Sequence, residues 1–191
     1  MIEIALEDGG NFSVQKAILR NASAYFEKAL ESHFKEGKDK RLRLPGCTTA
    51  TFQIFLYWLC KAKLPDFDSY FRSVLASTKS NEAECDDVQV QLVRLWAMAD
   101  LWILPELQNA ATRALNIVLE VRCIAPAALK TALELLPSDA LICKALLRDF
   151  AYSWDPDMNT LGMKGIEELG QTPGFFTAFT REMFSETGGV V

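Results

Sequence analysis

The sequence predicts an α+β fold: a small β-sheet flanked by a helical bundle, with additional helices after it. Three observations carry that prediction. Ile2, Ile4 and Leu6 alternate with Glu3, Ala5 and Glu7 at the start, a period of two with one polar face. A second short alternation, Arg41-Leu42-Arg43-Leu44, ends at Pro45-Gly46. Almost everything else repeats its apolar residues at three- and four-residue spacing, the signature of amphipathic helices.

The elements follow in order. Asp8-Gly9-Gly10-Asn11 supplies the residues a tight turn needs, and Phe12 and Val14 restart the alternation, so residues 2–14 read as a hairpin. A short helix is expected around 16–20. Ser23 is a competent N-cap for a helix whose stripe is Phe26, Ala29, Leu30, His33 and Phe34, stopped by Gly37. The third strand, at 41–44, turns two arginines to water, which also deters unwanted edge pairing. Thr48 and Thr49 precede a stripe of Phe52, Phe55, Leu56, Leu59 and Cys60. Further helices are predicted from Leu92 toward Trp102, after Pro105, after Pro126, and after Ser138-Asp139, each with its own apolar stripe. Residues 77–87 have almost no apolar side chains and read as a mobile acidic loop exposing Cys85. Residues 155–174, with four glycines, read as irregular chain before a last helix carrying Phe175, Phe176, Phe179 and Phe184.

Composition narrows the function classes. The chain has 191 residues, half of them hydrophobic, enough for an ordinary core without staples. Five cysteines with no close pair suggest free thiols in a reducing compartment. A net charge of -5 disfavours a protein held on nucleic acid by charge, and the basic group Lys35, Lys38, Lys40, Arg41 and Arg43 reads as a solvated loop and edge strand. No apolar run is long enough to span a membrane, and the first residues do not form a secretory signal. The single histidine, His33, excludes a histidine-rich metal site and any mechanism needing two imidazoles. On its apolar stripe it reads as a packed edge histidine, Cys60 as a small buried hydrophobe, and the tryptophans at 58, 96 and 102 as core or interface anchors. No metal ligand set, cofactor or catalytic residue is expected.

Six blocks, in this order, carry a family resemblance: Phe12-Ser-Val-Gln-Lys-Ala-Ile-Leu, Ala22-Ser-Ala-Tyr-Phe, His33-Phe-Lys-Glu-Gly, Leu42-Arg-Leu-Pro, Thr51-Phe-Gln-Ile-Phe-Leu-Tyr-Trp-Leu, and Leu95-Trp-Ala-Met-Ala-Asp-Leu-Trp-Ile-Leu-Pro-Glu-Leu. Together they resemble the BTB/POZ domain, in particular the single-domain versions common in filamentous fungi. The resemblance covers residues 2 to about 121. It divides the chain into an interaction domain over 1–121 and a helical extension and tail over 122–191, the latter similar to a truncated BACK-type region. Two blocks depart from the family: Gln15-Lys16 stands where His-Lys is usual, and Cys60-Lys61-Ala62 where Tyr-Thr-Gly is common.

The resemblance implies a protein–protein interaction module with no chemistry of its own, working in the cytoplasm, the nucleus or both. Many relatives bind a cullin and act as substrate adaptors of ubiquitin ligases, through an apolar residue, any residue, then Glu. Phe34-Lys35-Glu36 matches that pattern just before the third strand and is the candidate cullin-type face. Gln15 at the family's histidine position leads to an expectation of a monomer or weak homodimer. The aromatic set Phe175, Phe176 and Phe179 is a candidate second interface, although docking on its own domain is favoured. Two alternatives stand beside the adaptor reading: a non-ligase oligomerisation scaffold in transcription or signalling and, more remotely, a small thiol-dependent enzyme.

Overall fold

The computed structural model describes residues 1–31, 35–67, 69, 82–120, 122–153 and 161–186. In chain order the described elements are β1 (Ile2–Leu6), β2 (Asn11–Val14), α1 (Lys16–Ala22), α2 (Ala24–Ala29), α3 (Lys35–Asp39), β3 (Arg41–Leu44) and α4 (Thr49–Lys61). After these come α5 (Glu82–Leu101), α6 (Pro105–Leu119), α7 (Pro126–Leu135), α8 (Leu141–Ser153), α9 (Leu161–Gly170) and α10 (Phe175–Glu186). The fold is α+β, as expected.

The sheet has the order β2-β1-β3. β1 runs antiparallel to β2, with Ile4 opposite Phe12, and parallel to β3, with Ile4 opposite Leu42. This register puts Ile2, Ile4, Leu6, Val14, Leu42 and Leu44 on one buried face and Glu3, Arg41 and Arg43 on the other. The hairpin turn is fastened to the β3–α4 connection. Asp8 accepts hydrogen bonds from the Thr49 backbone N–H at 2.7 Å and the Thr49 hydroxyl at 3.0 Å, and Glu7 accepts one from the Gly46 N–H. Gly9, at φ +85°, supplies the left-handed residue of the turn.

Two apolar cores meet on α5 and α6. The first joins the sheet's inner face to α2 and α4 through an aromatic cluster: Trp102 lies 4.8 Å from Phe55 and 5.4 Å from Phe26, centroid to centroid. Leu95, Met98, Leu107 and Ala111 complete it from α5 and α6. The second gathers α7 to α10 on the other ends of those helices, using Cys85, Leu92, Val93, Leu115 and Val118. Gln89, fully buried on α5, ties the α6–α7 connection down: its amide donates to the Cys123 carbonyl and accepts from the Ala125 N–H at 2.7 Å.

Four expectations are corrected. The stripe that begins at Phe26 is not one helix. α2 closes at Leu30 (φ −99°, ψ 11°), and the Glu31 N–H turns back to the Lys28 carbonyl. Gly37 then lies inside α3 rather than stopping a helix, and Lys40, at φ +52°, makes the turn into β3. His33 and Phe34 lie outside the described residues. Secondly, 82–87 of the expected acidic loop belong to α5; its remainder lies outside the described residues. Cys85, Gln89 and Leu92 recur at helical spacing and are buried, so a face with one thiol and one amide proved sufficient where apolar residues were being counted. Thirdly, 161–170 within the expected irregular stretch form α9, seated on the second core through Ile166 and Leu169. Gly165 serves that packing, since a Cβ there would fall 2.8 Å from Pro126 Cγ. Lastly, Cys60 is exposed, because the last turn of α4 runs past the core and ends on Ala62 in a left-handed cap.

Candidate partner-binding site

Of the expected cullin-type face, Phe34 and the side chain of Lys35 lie outside what is described, and Glu36 is described in full. Glu36 stands in the first turn of α3, half-exposed, where a carboxylate complements the helix dipole instead of opposing it. It lines a groove of about 630 Å³ between the hairpin turn and β3. Gly9, Gly10 and Asn11 of the turn line it with Ala5 and Leu6 of β1, and Asp39, Arg41 and Arg43 line it from the α3–β3 side. Arg41 and Arg43 reach it because they occupy alternate outward positions of β3, opposite Glu3 and Ala5 of β1. The groove therefore presents two carboxylates and two guanidinium groups beside an apolar part formed by Ala5 and Leu6.

Glu36 also faces α2. Burial raises the Tyr25 phenol above its ordinary value, and the Glu36 carboxylate raises it further. Tyr25 packs edge-on against Phe26 at 5.2 Å, at the edge of the aromatic cluster that fixes α2 on the first core. The charge of the half-exposed Glu36 is thus felt at the phenol of α2. The sequence held no signal for it, because it depends on α3 being a separate helix.

The other sequence candidates divide by burial. Phe175 and Phe179 point into the second core, stacked on each other at 5.4 Å, while Phe176 is 53% and Phe184 74% exposed. Docking of this helix on its own domain is thus what the molecule does with Phe175 and Phe179. Trp102 is buried in the first core; Trp96 is half-buried, its indole N–H donating to the Thr112 hydroxyl at 3.0 Å; Trp58 is half-buried beside a cleft along α6.

The thiols bear on chemistry. Burial pushes the Cys47 thiol up to about 12 and the Cys143 thiol up to about 11, so neither supplies thiolate at neutral pH. Among the described residues no group of three or more His, Cys, Asp or Glu side chains could hold a metal ion, and no helix is long and apolar enough to cross a membrane.

No curated protein matches the chain. Residues 2–82 match the family model of the BTB/POZ domain, the segment that runs from β1 to the start of α5. The chain carries a BTB/POZ domain, a protein–protein interaction fold, over that segment.

Proposed function

We propose that the chain is a substrate adaptor that binds a cullin scaffold of a ubiquitin ligase through the face around Glu36, in the cytoplasm or the nucleus. The observation that carries the reading is the coincidence of two facts. The apolar-any-Glu pattern falls shortly before β3 of a BTB/POZ domain, and its Glu36 is half-exposed and lines a groove, with its charge felt at Tyr25 of α2. A half-exposed carboxylate lining a groove can accept hydrogen bonds from a partner. We further propose that the interaction domain extends to about 121, because α5 and α6 complete the first core with Leu95, Met98, Trp102 and Leu107. Residues 122–191 are then a helical extension and tail, whose described helices pack the second core against α5 and α6.

The test is Glu36→Ala. An exposed carboxylate contributes at most about 1 kcal/mol to folding, so the melting temperature should barely move. Affinity for a cullin N-terminal domain should fall by about 1.5–3 kcal/mol, more than tenfold, because a charge-assisted contact is lost. An unchanged affinity would remove Glu36 from the interface.

A further inference from the structure

We infer that the outer edge of β3 is a docking site for an extended acidic segment of a partner protein, which joins the sheet as an added strand. β3 is an edge strand in the order β2-β1-β3. Its parallel register sets Glu3 beside Arg41 and Ala5 beside Arg43, and the Glu3 N–H donates to the Lys40 carbonyl at 2.8 Å. Parallel pairing in that phase turns the Lys40 carbonyl, both backbone groups of Leu42 and the Leu44 N–H toward β1. The N–H and C=O of Arg41 and of Arg43 point the other way, out of the sheet. Among the described residues no hydrogen bond takes up these groups of either arginine. Pro45 ends the edge, so the open stretch holds two outward residues with Leu42 between them.

The side chains select the strand that this edge accepts. Arg41 and Arg43 are exposed on the outer face, while Leu42 and Leu44 are buried. The arginine ion pairs among the described residues join Arg20 to Glu27, Arg122 to Asp86 and Arg148 to Glu182, and none takes Arg41 or Arg43. Glu3 neighbours Arg41 in the register, but Arg43 stands beside Ala5, whose other neighbour is Asn11 of β2. No acid of the sheet therefore lies next to Arg43. Glu36 and Asp39 line the groove with both arginines without pairing to either.

On an added strand, the residue across from each arginine shares its face at a Cβ separation of about 4.5–5.5 Å. Opposite charge is favourable there and like charge unfavourable. The edge thus rejects a second copy of β3, arginine against arginine, and favours Asp or Glu at alternate positions. The residue between the two acids falls on the side of Leu42, where an apolar side chain extends the buried face. An acid–apolar–acid segment meets all these conditions, with main-chain hydrogen bonds supplying affinity and the alternate side chains specificity. A nucleic acid can satisfy the guanidinium groups but not the backbone edge, and it would also meet Glu3, Glu36 and Asp39. This pairing is independent of any cullin contact.

Fluorescence anisotropy of the full chain with a short labelled peptide of alternating glutamate and valine tests the inference. Saturable binding is expected, with a dissociation constant below about 100 µM that rises with salt. Combining Arg41→Gln with Arg43→Gln should weaken it at least about tenfold while circular dichroism shows an unchanged fold. Methylating one alternate set of the peptide's backbone amides should abolish binding and methylating the other should spare it, because only one set faces the edge. A wild type that does not bind the peptide at about 1 mM overturns the inference. So does binding indifferent to the two arginine replacements or to methylation of both amide sets. An equal affinity for a single-stranded oligonucleotide overturns it as well, since charge alone would then account for the contact.

Discussion

Replacing Gln89 by methionine tests the joint between the two cores. Methionine keeps the length and most of the volume of the side chain, so packing changes little and the loss is polar. Two backbone groups lose their partner. The Ala125 N–H, in a residue only 5% exposed, is left without its 2.7 Å bond, at a cost of about 1–3 kcal/mol. The Cys123 carbonyl belongs to an exposed residue and can turn to water, so its loss is nearer the net worth of a hydrogen bond, about 0.5–1.5 kcal/mol. The expected total is about 2–4 kcal/mol, a large share of the roughly 5–15 kcal/mol that holds a typical domain. Urea melts followed by circular dichroism give the total, and amide exchange gives the location. Ala125 should exchange faster than in the wild type, while the Ile124 N–H, held separately by Asp149 at 3.0 Å, should keep more of its protection. A loss below about 0.5 kcal/mol would refute the assignment of Gln89 as the tie between α5 and the α6–α7 connection.

Three further outcomes are expected. Gly10→Ala sets a Cβ on top of the Thr49 hydroxyl, so it should cost about 1–3 kcal/mol by overpacking, and much less when Thr49→Ala has already removed that hydroxyl; equal costs in the two backgrounds would contradict the contact. In the native protein at neutral pH an alkylating reagent followed by mass spectrometry should modify Cys60 and Cys123 rapidly and spare Cys47, Cys85 and Cys143, which are buried; early labelling of Cys85 would return 82–87 to the loop the sequence suggested. Hydrogen bonds from Thr49 hold the Asp8 carboxyl below its ordinary value, so its contribution to stability is present above the unfolded-state pKa of about 3.9 and is lost as pH falls through the depressed folded value. Asp8→Asn should therefore flatten the acid limb of the stability curve, and an unchanged limb would count against the turn clamp.

The strands and most helices were legible because their signals are local. Period two in 2–6 and 41–44, Asp-Gly-Gly in the turn, and Pro105 and Pro126 at helix starts each act within a few residues. The errors fall where local rules compete with packing. α5 begins at Glu82 because Cys85 and Gln89 face a core built by helices far along the chain, and a segment rich in acids and serine does not announce that. α9 contains glycines that usually break helices, and one of them is there to admit Pro126. The candidate site was legible in part. The pattern 34–36 marked Glu36, but its position at the start of α3, its groove and its relation to Tyr25 arise from the break after Leu30, where a continuing apolar stripe concealed a chain turn. The hairpin's second role, with Glu7 and Asp8 gripping the β3–α4 connection, involves partners some forty residues away and has no sequence signature.

The adaptor reading stands or falls most directly on titration calorimetry of the full wild-type chain against a cullin N-terminal domain. The account predicts saturable heat with a dissociation constant tighter than roughly 10 µM, about 7 kcal/mol of binding free energy. An absence of binding at several times that concentration, with the chain folded by circular dichroism, would contradict it.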